Sequence, residues 1–584
     1  MSKNRILLSL VTILCGLILP MRLPAQENRT NADSKLPPAA PLLSPSICAK
    51  GVFLFWLGEQ SIGREEFEIK CQPAGGYATS GHTDLKVPGG AIDLNTNLEV
   101  DKSGAPLSST AKGTINGNPF DQSVVVKGEM ATVTSGGGTK ELPFGKGASL
   151  LGGNIFYMFQ FLLARYDTAK GGIQEVPIFP NLTAKLERIA RDAVQATGIA
   201  ASPAPSLFDR YSITVAMSNI IAWIDTKGRA AVLAVPLQNF AAVREEYSSF
   251  IPSFKALLAA KMKETEVDYA APATAPFTAE EVTVEAKGFT LAGTLLLPKT
   301  GKAPFPAVVT ITGSGQQTRD EYLPLPGLEK YRPFRQIAEA LASRGIAVLR
   351  VDDRGVGNSK GGETLKVSTS ANFADDVRAQ VDFLRERRDV DPNRIVLLGH
   401  SEGGMIAPMV AVSDPRIAAI VLMAGPGKSG EQIVAYQVNQ SVEADATLTE
   451  EAKAKARTEQ QDAMRKAIAG DASAPELMRS PWLRYFLAYD PLPTIRKVRQ
   501  PILILQGELD RQVTADQAEM AAKAARDAGN RDVTARVFPG LNHLFLPAKT
   551  GAVSEYSSLG TNAIPDDVMN QLTEWLVQKL KVQK

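Results

Sequence analysis

The chain has 584 residues, 44% of them hydrophobic and 22% charged. That length and balance suit roughly two to four domains and argue against a predominantly disordered protein. The 64 basic and 62 acidic residues are interspersed without blocks, so the net charge of +2 leaves no electrostatic footprint for nucleic acid, and a neutral or small substrate is expected.

The first residues, Met1-Ser2-Lys3-Asn4-Arg5, are followed by an apolar run from Ile6 to Leu19, then Pro20 and a small-residue exit near Ala25. A basic start, a short apolar stretch and a cleavage-like exit predict a secretory signal over 1–25, hence a secreted or periplasmic protein. The run is short for a membrane span, and no later segment is apolar enough for one. Lipid attachment at Cys15 is disfavoured by Leu14, which is bulky where such sites want a small residue. Of three cysteines, Cys48 and Cys71 remain after the signal; an exported pair can form a disulfide or stay as two buried thiols.

After a polar, Pro-rich linker over 26–46, residues 47–265 read as short strands punctuated by Gly, Asn and Asp, a mainly antiparallel β-rich domain. Asn116-Gly117 is a hairpin signal. Two helical stretches interrupt the pattern, Ile155 to Tyr166 and Ala184 to Thr197. No carboxylate pair, metal-ligand cluster or phosphate loop stands out in this half, and the lone His82 reads as solvated or structurally bonded. The domain is a scaffold, or one that gathers an apolar substrate or docks a partner.

A second linker, 266–279, precedes a change of grammar. Strands at Glu281–Glu285, Thr290–Leu297, Ala307–Thr312, Ala347–Val351, Ile395–Leu398, Ala418–Met423, Ile502–Gln506 and Val533–Phe538 alternate with helices. The helices are expected at Pro333–Ser343, Phe373–Arg388, Gly404–Val412, Ala515–Ala528 and Asp566–Lys579. Such alternation marks a mostly parallel sheet covered on both faces, here over 280–584.

The strand ending at Leu398 empties into Gly399-His400-Ser401-Glu402-Gly403 and then a helix start, the setting of a G-x-S-x-G nucleophile elbow. Gly357-Asn358-Ser359-Lys360-Gly361 fits the same pattern but leads into more Gly and a polar stretch, so Ser401 is the candidate nucleophile. A serine hydroxyl needs a base, and the chain has three histidines. His82 lies in the other domain and His400 adjoins the nucleophile in a turn that points neighbours apart, which leaves His543, in the loop after the last strand. The acid that orients it is expected after the strand Pro501 to Leu505, at Asp510, with Glu508 the alternative. The order Ser, acid, His is the one this elbow requires. The oxyanion needs two backbone donors. One is expected from Glu402, at a helix start, and the other from Ser314 in Gly313-Ser314-Gly315-Gln316, with Gly315 and Gln316 adjacent.

With Gly313 to Asp320, Asp352 to Ser359, the elbow, Gly507-Glu508-Leu509-Asp510 and Asn542-His543, residues 280–584 resemble the α/β-hydrolase superfamily, near bacterial esterases and dienelactone-hydrolase and serine-aminopeptidase-like members. The resemblance implies an α/β-hydrolase fold with an eight-stranded sheet, a triad of Ser401, Asp510 and His543, and a helical cap over about 425–498. It explains Gly357 to Gly361 as a loop after the fourth strand. The aromatic segment Pro481 to Tyr489 in that cap either lines the substrate pocket or packs the cap onto the sheet. The expected activity is cleavage of a small-molecule ester or acyl substrate through an acyl-enzyme, with no metal or organic cofactor. A peptidase or thioesterase using the same triad, and a binding protein that has lost activity, are the competing readings.

Overall fold

The computed structural model describes residues 36–582 apart from 88–89, 136–137, 198–203, 216–217, 264–266, 324, 326 and 329. The expected signal and the start of the first linker lie outside the described residues. The described residues divide into two compact units, one comprising those from 36 to 263 together with Asn439–Gln461, the other those from 267 to Val438 together with Asp462 onward. The middle of the helical insertion thus clusters with the N-terminal unit.

The N-terminal unit is built on one 14-stranded antiparallel sheet. Eight strands meander from Lys50 to Pro143. Phe240–Arg244 then pairs with the first strand, Phe53 opposite Arg244, and the remaining strands extend the sheet on that side. Asn116 and Gly117, both at positive φ, form the two-residue turn between Ile115 and Asn118. An apolar segment, Ile155 to Leu163, is buried against one face with Phe55, Phe67 and Leu186. Its backbone is tied down by Glu65, whose carboxylate accepts from the Phe156 and Tyr157 amides at 2.9 and 2.7 Å. On another apolar cluster, Phe254 of the helix Ile251–Lys263 packs with Phe208 and Trp223. Cys48 and Cys71 form a disulfide.

Both helices expected here need correction. Over Ile155–Tyr166 only Phe159–Leu163 is α-helical, because the approach is a tighter turn with Phe159 bonded to Phe156 and Gln160 to Tyr157. Ala184–Thr197 falls on an extended strand, Leu182–Val194. Ala184, Leu186 and Arg188 alternate inward, and a bulge between Arg188 and Ala190 then shifts the register. Val194 is buried beyond the bulge. The shift breaks strict alternation, and the Ala, Leu, Glu and Arg content gives the segment helical propensity that its two strand partners override.

The C-terminal unit carries an eight-stranded sheet, and every strand expected from sequence is present. In chain order the strands are Phe277–Ala286, Phe289–Pro298, Phe305–Ile311, Ala347–Val351, Val390–His400, Ile417–Met423, Ile502–Gly507 and Val533–Phe538. Their spatial order is 1-2-4-3-5-6-7-8. The first two strands are antiparallel to their neighbours, and the third to eighth run parallel. Helices Pro333–Ala342, Ser370–Glu386, Glu402–Ser413, Asp516–Asp527 and Asp566–Lys579 follow the expected alternation. Two apolar clusters fill the space on the sheet. In such sheets the loops at the carboxyl ends of the strands gather the chemistry.

Candidate active site

The elbow begins where the strand Val390–His400 stops and the helix Glu402–Ser413 starts. Ser401 sits between them at φ 52°, ψ −118°, a conformation that non-glycine residues rarely take and that typically costs ~1–3 kcal/mol. Its amide donates to the Met423 carbonyl at 2.9 Å. The flanking glycines are required by close approach rather than by torsion. A Cβ on Gly399 would stand 2.0 Å from the Gly403 carbonyl oxygen, and one on Gly403 would stand 2.1 Å from that of Ile311. Gly313, which opens the loop after the strand Phe305–Ile311, lies against Ser401, whose Cβ would be 3.2 Å from a Cβ added there.

His543 and Asp510 are brought together from two different loops. The His543 Nδ1 to Asp510 Oδ2 distance is 2.7 Å, and both side chains are buried. Asp510 is itself fixed: Oδ1 accepts from the Gln512 and Val513 amides at 2.8 and 2.9 Å, and Oδ2 also accepts from Gln506 Nε2 at 2.8 Å. A carboxylate held this way selects the tautomer with the proton on Nδ1, which leaves Nε2 as the basic nitrogen. The His543 loop is set by Asn542, whose Oδ1 accepts from the Leu544 and Leu546 amides, both at 3.0 Å. Glu508, the alternative acid, instead accepts from the Gly540 amide at 2.9 Å.

Glu402 is buried, and its Oε1 accepts from Ser370 Oγ at 2.5 Å and from Trp482 Nε1 at 2.9 Å. Burial pushes its carboxyl up, while bonds from Ser370, Trp482 and the Ser314 side chain pull against that rise. Ser314 and Glu402 are therefore neighbours, and no acceptor among the described residues engages either backbone amide. Of the aromatic segment, Trp482 stacks on Phe486 at 5.6 Å and reaches Glu402 through its indole N–H, while Leu483, Phe486 and Leu487 are buried.

Several residues around the loop Gly313–Asp320 were not singled out for a role by sequence. Asp353 accepts from Thr312 Oγ1 at 2.9 Å and from the Gln317 amide at 2.8 Å, and burial holds its carboxyl well above the usual range. Arg319 pairs with Asp352 at 2.8 Å and Glu281 at 2.7 Å under the ring of Tyr269. Arg354 makes two bonds to Asp376, at 2.8 and 2.7 Å, near the rings of Phe289 and Phe373. A cavity of about 50 Å³ lies among these groups, lined in part by Thr312, Gly315, Asp353, Gln380 and Glu402. The visible signal was the density of charge in Thr318-Arg319-Asp320-Glu321 and Asp352-Asp353-Arg354; their pairing required the fold.

The remaining histidines behave differently from each other. His82 is exposed and bonded to Asp93 at 3.0 Å. His400 is buried, with Nδ1 2.8 Å from Glu321 Oε1 and Nε2 3.0 Å from the His543 carbonyl oxygen. Burial, the largest single influence, lowers its pKa, but the Glu321 carboxylate, the His543 carbonyl and Asp510 together raise it. Ser359, in the second G-x-S-x-G, is buried; its Oγ donates to the Asp352 carbonyl and accepts from the Ala292 amide, each at 2.8 Å. Among the described residues no group of three or more His, Cys, Asp or Glu is placed to hold a metal ion.

A sheet of this order with an elbow after its fifth strand defines the α/β-hydrolase class. Residues 327–548 match the family model described as serine aminopeptidase, S33. The esterase EstD of Thermotoga maritima is 29% identical over 314 residues, covering 52% of this chain and 69% of that one. Among solved structures, the Pyrococcus furiosus esterase Pf2001 aligns with TM-score 0.36 and 17% identity, over 54% of this chain and 96% of that one. Est1E from Butyrivibrio proteoclasticus aligns with TM-score 0.33 and 15% identity, over 52% and 99%. The C-terminal unit has the α/β-hydrolase fold, and the family match within it together with the similarity to an esterase supports a hydrolase.

Proposed function

We propose that this hydrolase cleaves carboxylic esters of small molecules through an acyl-enzyme formed on Ser401. The observation that carries the reading is the 2.7 Å His543–Asp510 pair in a unit that also holds Ser401 at a strained elbow. His543 Nε2 takes the hydroxyl proton as Ser401 Oγ bonds to the ester carbon. The amides of Glu402 and Ser314 receive the oxyanion, and the positive end of the Glu402–Ser413 helix adds to them. As the C–O bond to the alcohol breaks, His543 returns the proton to the leaving oxygen. Water, deprotonated by the same nitrogen, then releases the acid and regenerates the serine.

The similarity to an esterase over 314 residues favours esters. The match to a serine aminopeptidase family keeps amide cleavage as the second reading, because the same triad serves both. Export remains part of the proposal, supported by the leader-like start and by a Cys48–Cys71 disulfide suited to an oxidising compartment.

The test is Ser401→Ala assayed on short p-nitrophenyl esters. A loss of roughly 10⁴-fold or more in kcat is expected. Undiminished turnover by the folded variant refutes the assignment. Parallel turnover of matched ester, thioester and amide substrates separates esterase from thioesterase and peptidase. A parent protein that a fluorophosphonate probe does not label at Ser401 restores the inactive binding protein.

A further inference from the structure

We infer that Glu321 and His400 are a positioning pair that holds the oxyanion loop and the base-bearing loop in one register. The inference rests on the triad reading above. Glu321 Oε1 accepts two hydrogen bonds, from the Gly313 amide at 2.7 Å and from His400 Nδ1 at 2.8 Å. His400 Nε2 in turn donates to the His543 carbonyl at 3.0 Å. One connected path therefore runs from the peptide before Ser314, through the residue before Ser401, to the backbone of His543. Each end of the path is an element whose position sets the rate.

The chemistry of the two imidazole nitrogens supports this. Both face oxygen acceptors, a carboxylate on one side and a backbone carbonyl on the other. A neutral imidazole donates from only one nitrogen, so both bonds are made together by the imidazolium. Glu321 supplies the opposite charge. The other titratable groups facing the pair are His543, with ring centroids 4.9 Å apart, Asp510, and Tyr331 beside Glu321. A charge-assisted pair in a buried setting is stronger and more directional than a neutral one.

The backbone at Glu321 is consistent with a role beyond packing. Glu321 sits at φ 53°, where a glutamate is unfavourable, and the residue is buried, 4% exposed. Strain of that kind persists where surrounding contacts fix it, and such positions cluster at functional sites. Here the fixing contacts are the two hydrogen bonds that Oε1 accepts. Neither Glu321 nor His400 is assigned contact with substrate; the pair acts through Gly313 and His543.

The experiment compares Glu321→Ala, Glu321→Gln, His400→Asn and His400→Gln with the parent on a short p-nitrophenyl ester. Fluorophosphonate labelling and thermal unfolding are measured alongside. Displacing a catalytic group by ~1 Å costs up to ~10²-fold, so Glu321→Ala is expected to lower kcat roughly 10–100-fold with KM within about threefold. Glu321→Gln retains an acceptor and recovers part of the loss. By side-chain length, glutamine places its N–H near the former Nε2 and asparagine near the former Nδ1. His400→Gln therefore keeps the bond to His543 and retains more kcat than His400→Asn. Glu321→Ala with His400→Asn is expected to be little worse than the poorer single variant, because residues that act as a unit are not additive.

A folded Glu321→Ala or His400→Asn protein with kcat within about twofold of the parent overturns the inference, as does a loss seen in KM alone. If Glu321→Ala does not fold, the His400 variants decide, and His400→Asn matching or exceeding His400→Gln overturns it. These outcomes are read in a parent that labels and turns over ester. A parent that does neither sinks the triad reading and this inference with it.

Discussion

The two units use strained backbone differently. Among the described residues of the N-terminal unit, the non-glycine residues at positive φ are Asn116, Asn154 and Asn239, a residue type that tolerates the left-handed region. In the C-terminal unit they are Glu321, Ser401, Ala424 and Phe545, with Lys581 near the end of the chain. Ser401 is the elbow, Ala424 ends the strand whose Met423 carbonyl takes the Ser401 amide, and Phe545 lies two residues after His543. Asparagine turns make connections at small cost. Glutamate, serine, alanine and phenylalanine in that region are held by what surrounds them, and what surrounds them here is one site.

Buried carboxylates divide the same way. Glu65 uses its oxygens to fix the Phe156–Tyr157 backbone, and Asp209 is shared by Arg188 and Arg191. These join strands to each other and to the apolar segment packed on them. Asp510, Glu321, Asp353 and Glu402 do similar bonding in and beside the loops that carry the proposed base, oxyanion donor and nucleophile. The physical device is common to both units, a carboxylate collecting donors in a poorly solvated place. Its consequence depends on what the donors belong to.

The largest test of that contrast is Asp510→Asn. The amide oxygen can still accept from the Gln512 and Val513 backbone, but the group facing His543 no longer enforces the tautomer. In serine hydrolases built on this logic such a change drops kcat by ~10⁴. A similar loss is expected in ester turnover, with the unfolding midpoint little changed. A fall of less than about tenfold would place Asp510 with the structural carboxylates of the first unit.

Glu65 gives the matching test on the other side. Burial raises its carboxyl from 4.5 to about 7 against three donors that pull it down. The folded state thus keeps the proton over a range in which the unfolded chain has lost it. Stability from this group is complete below about pH 4.5 and falls as pH rises toward 7, by about 3 kcal/mol. Denaturant unfolding at pH 5 and pH 8 measures it, and Glu65→Gln should flatten the difference. An unchanged pH slope in that variant assigns the effect to another group.

Much of the C-terminal unit was legible because its strands are short apolar runs bounded by Gly, Pro or charge, and parallel strands buried on both faces leave just that trace. The elbow was legible for the same reason: Ile395–Leu398 before it and Met405–Val410 after it carry unambiguous patterns. The N-terminal unit was less so. Leu182–Val194 hides its alternation behind a bulge, and the pairing of Lys50–Leu57 with Phe240–Arg244 joins segments nearly at opposite ends of the unit. Glu321 escaped notice for a different reason. Nothing local distinguishes it from Asp320, and only the folded loop brings it to both Gly313 and His400.

The smallest effect separates the two G-x-S-x-G sequences. Ser359 ties the loop after the fourth strand to the second strand, donating to the Asp352 carbonyl and accepting from the Ala292 amide. Ser359→Ala removes both bonds and leaves a buried amide and carbonyl short of a partner, which costs ~1–3 kcal/mol. The expected outcome is a lower unfolding midpoint with kcat on esters near that of the parent. Because Asp352 also anchors Arg319, a small change in KM is compatible with this role, but a loss of kcat approaching that of Ser401→Ala is not. That result would mean the pattern without its strand and helix had chemistry of its own, and the strand before Ser401 and the helix after it would no longer single it out as the nucleophile.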